Sequence, residues 1–183
     1  MKKSSLLVAM ATVALSSPAF AGTADGTLGV TLTVANNCTL GAGSGANNAV
    51  LDFGLQQAGD LASAIDGSTA AGGNIVLTCS GDTPDAQISF SAGSNANGNQ
   101  RRIKYDPGTG TPSFVQYDLF IDSGRANPLL PGQNYNLRPD ALANGLVSGD
   151  NIITVFGRIP AGETLVNTGA SSYTDTVNFT ITF

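Results

Sequence analysis

Along this chain apolar residues recur at every second position, not every third or fourth, in short runs broken by Gly, Asn, Ser, Thr and Pro. Period two marks extended chain with one buried face, because successive side chains of a strand point to opposite sides. The pattern predicts strands over 27–35, 49–54, 74–80, 86–92, 101–105, 114–121, 151–159 and 173–183, and at most one helical turn, over 61–65. Between them, 41–48 and 91–100 consist of Gly, Ala, Ser, Asn and Gln. Such stretches have too little apolar surface to order themselves and read as surface loops. No repeat of 20 to 50 residues is visible, and many short strands separated by turn residues point to an all-β sandwich.

The first 21 residues depart from this pattern. Lys2 and Lys3, the apolar run Leu6 to Leu15 and Ala19-Phe20-Ala21 have the form of a secretory leader with its cleavage site, which predicts a secreted chain starting at Gly22. The apolar run is too short to span a bilayer as a helix, and membrane insertion is not expected. Without the two leader lysines, six Lys and Arg face thirteen Asp and Glu, a net charge of −7. That balance argues against nucleic acid, whose binding needs cations on phosphates. Removing the leader leaves 162 residues, enough for one domain with a core of its own.

Cysteine and histidine usage limits the chemistry. Cys38 and Cys79, in an oxidising compartment, are expected to form a disulfide. The chain has no His, which removes the commonest general base and metal ligand and excludes Ser-His-Asp and Cys-His mechanisms. Paired carboxylates are the remaining enzymatic option, and Asp82 with Asp85 or Asp118 with Asp122 are the nearest candidates. Each pair lies beside turn residues or at a strand edge and reads as solvated surface. Neither Asp106-Pro107-Gly108 nor Asp82-x-x-Asp85 follows the ligand spacing of a calcium loop. We expect no catalytic residue, no metal and no cofactor.

Two segments near the ends carry the most information. Leu28-Gly29-Val30-Thr31-Leu32-Thr33-Val34 alternates strictly, ahead of Cys38, and reads either as a first strand or as a segment offered to another molecule. Val177-Asn178-Phe179-Thr180-Ile181-Thr182-Phe183 alternates in the same way. A strand there with an open neighbour position exposes backbone groups that recruit other chains.

The order of several short motifs resembles the spore-coat-U-like pilins of the archaic chaperone-usher pathway, over essentially the whole chain beyond the leader. They are Cys38-Thr39, Leu51-Asp52-Phe53-Gly54, Gly73-Asn74-Ile75-x-Leu77-Thr78-Cys79, Tyr117-Asp118-Leu119-Phe120-Ile121-Asp122, Phe156-Gly157-Arg158-Ile159-Pro160-Ala161-Gly162 and Tyr173-x-Asp175-Thr176-Val177. The chain lacks the family's frequent Trp and places Gly169 four residues before Tyr173, where the family often has two.

This resemblance implies an incomplete immunoglobulin-like β-sandwich that lacks its last strand and is completed by a donor strand from another subunit. A periplasmic chaperone would hold the subunit, and an outer-membrane usher would exchange the chaperone's strand for that of the next subunit. The organisation implied is a signal peptide over 1–21, a donor segment over 22–35 and a pilin domain over 36–183. Leu28, Val30, Leu32 and Val34 would be the donor side chains, and Val177, Phe179, Ile181 and Phe183 the acceptor groove. The function implied is that of a shaft subunit in a homopolymeric pilus at the cell surface, supporting adhesion and biofilm formation. The alternatives are a tip adhesin or a secreted carbohydrate-binding sandwich, in which a surface pocket would carry the function.

Overall fold

The computed structural model describes Thr27 and residues 29–33, 35–40, 49–137, 145–166 and 172–183. Leu28 and Val34, the expected leader over 1–21 and residues 41–48, read above as a loop, lie outside the described residues. The chain divides into residues 1–34 and Ala35–Phe183. In the first unit Thr27 and residues 29–33 are exposed and take part in no ladder, so the described part of the predicted 27–35 strand is not paired.

The second unit is all-β. Its strands are β1 (Cys38–Leu40), β2 (Gly59–Asp60), β3 (Ile65–Ser68), β4 (Ile75–Cys79), β5 (Gln87–Phe90), β6 (Arg102–Tyr105), β7 (Ser113–Gln116), β8 (Asp118–Phe120), β9 (Asn134–Asn136), β10 (Gly149–Ile153), β11 (Phe156–Ile159), β12 (Thr164–Leu165) and β13 (Phe179–Thr182). All pairings are antiparallel: β1-β4-β10, β3-β11-β8, β13-β5-β9, β6-β7 and β12-β2. Among the described residues the helical turn is Thr69–Gly72 and not 61–65, where Ile65 instead opens β3.

Two predicted strands each change sheets partway. Residues 114–121 divide at Tyr117, so that β7 pairs with β6 and β8 with β11. Residues 151–159 divide at Thr154-Val155, so that β10 pairs with β4 and β11 with β3. Strands that switch layers at a bend are what a sandwich needs to close its corners.

One core gathers side chains from all five sheets, among them Ile75, Leu77, Ile88, Phe90, Val115, Leu119, Ile153, Ile159 and Leu165. This architecture fits an immunoglobulin-like sandwich. The disulfide forms as expected, joining Cys38 and Cys79 directly across the β1-β4 ladder with Cα atoms 4.1 Å apart.

The 91–100 segment lies outside the named strands, as expected of a loop, yet it does not depend on apolar burial for its order. It is held by polar bonds: the Ser94 N–H donates to Thr176 O (3.0 Å), Asn95 Nδ2 donates to Thr174 O (3.0 Å), and Asn97 and Gln100 close a turn through reciprocal backbone bonds. Order here comes from hydrogen bonding to a neighbouring segment, a source of stability that apolar content does not measure.

Candidate functional site

Between residues 49–58 and 172–179 the domain opens into a groove of about 620 Å³. The first wall starts in the strand-like stretch 49–54, tied down by the Val50 N–H on Gly73 O (3.1 Å) and by the Asp52–Ser68 bridge. Its side chains alternate, with Ala49, Leu51 and Phe53 half-buried and Val50 and Asp52 exposed. Two glycines paired in register, Gly67 of β3 and Gly157 of β11, give this wall its seat. A Cβ on Gly157 would stand 2.8 Å from Leu51 Cδ1 and 2.9 Å from Phe53 Cζ, and one on Gly67 would stand 2.7 Å from Asp52 O. Arg125 braces the same pair from outside, donating to the carbonyls of Gly157 (3.1 Å) and Gly67 (3.2 Å).

The second wall is the chain from Tyr173 into β13. Its even-numbered backbone groups are used: Thr174 exchanges both bonds with Lys104, Thr176 O accepts from Ser94, and Asn178 O accepts from Ser91. By the alternation of an extended chain, the backbone groups of Asp175, Val177 and Phe179 point the other way, toward the groove. Among the described residues they have no hydrogen-bond partner. The side chains of Tyr173, Asp175, Val177 and Phe179 are half-buried, as those of the first wall are. Both walls thus resemble neighbours of a strand position that lies between them, and the floor is core: Ile75, Phe90, Ile103, Leu119, Val155 and Ile159.

One polar cluster fixes the second wall. The Asp175 carboxylate accepts the Tyr117 hydroxyl (2.8 Å), the Asn95 N–H (3.0 Å) and Asn95 Nδ2 (3.1 Å). Gly93 makes room for it, because a Cβ there would overlap the carboxylate. Burial, reinforced by donation to Asp175, raises the Tyr117 pKa well above the usual phenol value, so its proton stays in place. Nearby Arg101 is 3% exposed and gives Nε and Nη2 to Ser91 O and Nη1 to Leu129 O. Burial lowers its pKa, while neighbours that include Asp175 oppose the shift.

Of the residues expected to form an acceptor groove, Val177 and Phe179 line this one. Ile181 sits further along β13 opposite Ile88, packed on the core, and Phe183 is 51% exposed beyond the end of the strand. Of the expected donor residues, Val30 and Leu32 are 84% and 86% exposed. Leu28 and Val34 are outside the described residues. The sequence reading assigned no groove role to Leu51, Phe53 or Asp175. The apolar alternation Ala49-x-Leu51-x-Phe53 ahead of Gly54 was the available signal.

Two of the four candidate acids cap backbone N–H groups in loops, and a third, Asp118, is a residue of β8 opposite Arg158. Asp82 Oδ1 accepts the Ser148 N–H, and Asp122 accepts the N–H groups of Ala126 and Asn127, which lower its pKa. Among the described residues no cluster of three or more His, Cys, Asp or Glu could hold a metal, and no helix is long and apolar enough to cross a membrane. What the groove offers is apolar surface and unpaired backbone, the two things that recognise an extended peptide.

A comparison with curated proteins found no match. The description of the Spore Coat Protein U domain, by contrast, matches residues 24–180, a span that takes in both walls of the groove and nearly all of the domain. The chain therefore belongs to the Spore Coat Protein U domain family, a family of structural pilus subunits.

Proposed function

We propose that the groove is the seat of a donated β-strand, and that the protein is a non-enzymatic pilus shaft subunit which polymerises head to tail by donor-strand exchange. On this reading the sandwich lacks its last strand, and the groove is the vacancy. The observation that carries it is the pair of walls with half-buried side chains and, among the described residues, no backbone partner between them, above a core-like floor. Length supports it too. The inward positions Tyr173, Asp175, Val177 and Phe179 cover about 20 Å of extended chain, the reach of Leu28, Val30, Leu32 and Val34.

Burying four such donor side chains is worth at most roughly 6–12 kcal/mol before ordering costs, enough for a long-lived linkage. Donor and groove are different surfaces of one molecule, so the contact is heterologous and generates an open fibre. A periplasmic chaperone fills the groove first and an outer-membrane usher catalyses the exchange. The product is a cell-surface pilus that supports adhesion and biofilm formation.

The test exploits parity, since only one set of alternate donor side chains can enter the groove. Val30→Asp buries a carboxylate without a partner and should abolish polymerisation, whereas Thr31→Asp leaves its charge in water and should be tolerated. Chaperone-bound subunits of each variant are mixed and ladders are read on gels run without boiling. Equal polymerisation by both variants would refute the assignment of the donor.

A further inference from the structure

Among the described residues of 35–183, Leu55 is the large apolar side chain left most open: it is 98% exposed, at the mouth of the groove. Val50 and Val166, 50% and 43% exposed, line the same groove. Leu55 belongs to the stretch Leu55-Gln56-Gln57-Ala58, exposed throughout, which runs between Gly54 (φ +71°) and Gly59 (φ +126°). A Cβ at Gly59 would meet nothing within 4 Å, and one at Gly54 only Gln56 Nε2 at 3.9 Å. Close packing therefore does not call for these glycines. The left-handed backbone does, and it leaves each a ready pivot.

Among the described residues, the strap is bonded to the rest of the domain at both ends and not between them. On one side the Asp52–Ser68 bridge holds the first wall, and on the other β2 pairs with β12 while the Leu61 N–H donates to Glu163 O (2.9 Å). Within it, the side-chain bond is local: Gln56 Nε2 to Phe53 O, 2.7 Å. Leucine held in water beside an apolar groove forgoes a burial that a seated strand would offer.

We infer that Leu55 is a further docking residue of the groove, which closes over the seated strand when the 54–59 strap turns at its two glycines. The inference rests on the strand-seat reading, and the occupant is residues 27–35 of a second copy of the chain. Closure packs Leu55 against the occupant's apolar side chains on the Leu51-Phe53 side. It discriminates an alternating apolar strand from one that merely satisfies backbone bonds.

Both cysteines are in the disulfide, so an introduced thiol is the one reactive to maleimide. Leu55→Cys and Gln57→Cys are labelled before and after assembly into polymer. The expected result is protection of position 55 by tenfold or more on assembly, with position 57 labelled at an unchanged rate. Independently, Leu55→Ala should speed release of a synthetic peptide of residues 27–35 about tenfold, the factor that corresponds to ~1.4 kcal/mol. If polymer forms while position 55 stays as reactive as before, or the peptide leaves Leu55→Ala no faster, the strap inference falls and the groove reading stands. Equal protection of both positions would mean general coverage by the neighbour and also overturns it. Failure of the unaltered chain to bind the peptide or to polymerise would overturn the groove reading itself.

Discussion

Replacing the two seat glycines by alanine tests how the first wall is placed. Neither Gly67 nor Gly157 has a positive φ, so alanine brings no backbone strain at either site. Both substitutions gain about 0.4–1 kcal/mol by restricting the unfolded chain, a contribution that cancels in the comparison. What differs is the obstacle. At Gly157 the new methyl meets side-chain ends, Leu51 Cδ1 and Cδ2 and Phe53 Cζ, all at 2.8–2.9 Å, and these can rotate away. At Gly67 it meets a backbone oxygen, Asp52 O at 2.7 Å, with Phe53 Cδ1 at 3.0 Å, and the wall itself must shift.

Overpacking spans about 1–3 kcal/mol, and these sites should take its two ends: roughly 1 for Gly157→Ala and roughly 3 for Gly67→Ala. For a domain of this size each kcal/mol moves Tm by about 2–4 °C, so thermal unfolding followed by circular dichroism resolves the pair. Gly157→Ala should still weaken binding of the 27–35 peptide, because Leu51 and Phe53 leave the positions in which they line the groove. A Gly67→Ala protein as stable as the parent would refute the seat. So would a Gly157→Ala protein that binds the peptide unchanged.

Two further outcomes are expected. Cys38→Ser or Cys79→Ser should cost about 4 kcal/mol in the chain-entropy account and lower subunit yield without altering fibre architecture; non-reducing mass spectrometry of the parent must show no free thiol. Asp66 is bonded by Arg158 Nε and Nη2 at 2.7 and 2.9 Å, which holds its pKa below the ordinary 3.8. A depressed carboxylate contributes stability above its unfolded pKa and loses it as pH falls through the folded one, so the contribution should be intact at neutral pH and fade below about pH 4. Urea midpoints across that range should fall less steeply for Asp66→Asn, and parallel curves would exclude the ion pair as the cause.

Alternation in the sequence was enough to locate most of the strand-forming chain, because burial of one sheet face imposes period two wherever it occurs. The runs 74–80, 86–92 and 101–105 each contain a strand, β4, β5 and β6. Short strands escaped: β2 and β12 are two residues each, and β9 (Asn134–Asn136) is mostly polar, so none carries a readable period. The divisions at Tyr117 and Thr154-Val155 were equally hidden, since a strand that changes sheets keeps its apolar parity and alters only its partner.

What the sequence determined by itself is the class of fold, the disulfide and the exclusion of histidine-dependent chemistry, all of which follow from residue types and local spacing. Of the alternating residues singled out over 177–183, Val177 and Phe179 are in the lining of the groove and Ile181 and Phe183 are not. Only the tertiary structure decided that the facing wall is Leu51 and Phe53, that the register of β3 and β11 sets Gly67 against Gly157 across 90 residues of chain, and that Asp175 clamps the second wall through Tyr117 and Asn95. Those contacts join segments distant in sequence. Alternation reports which face of a strand is buried but not what lies across from it, and a groove is made of what lies across.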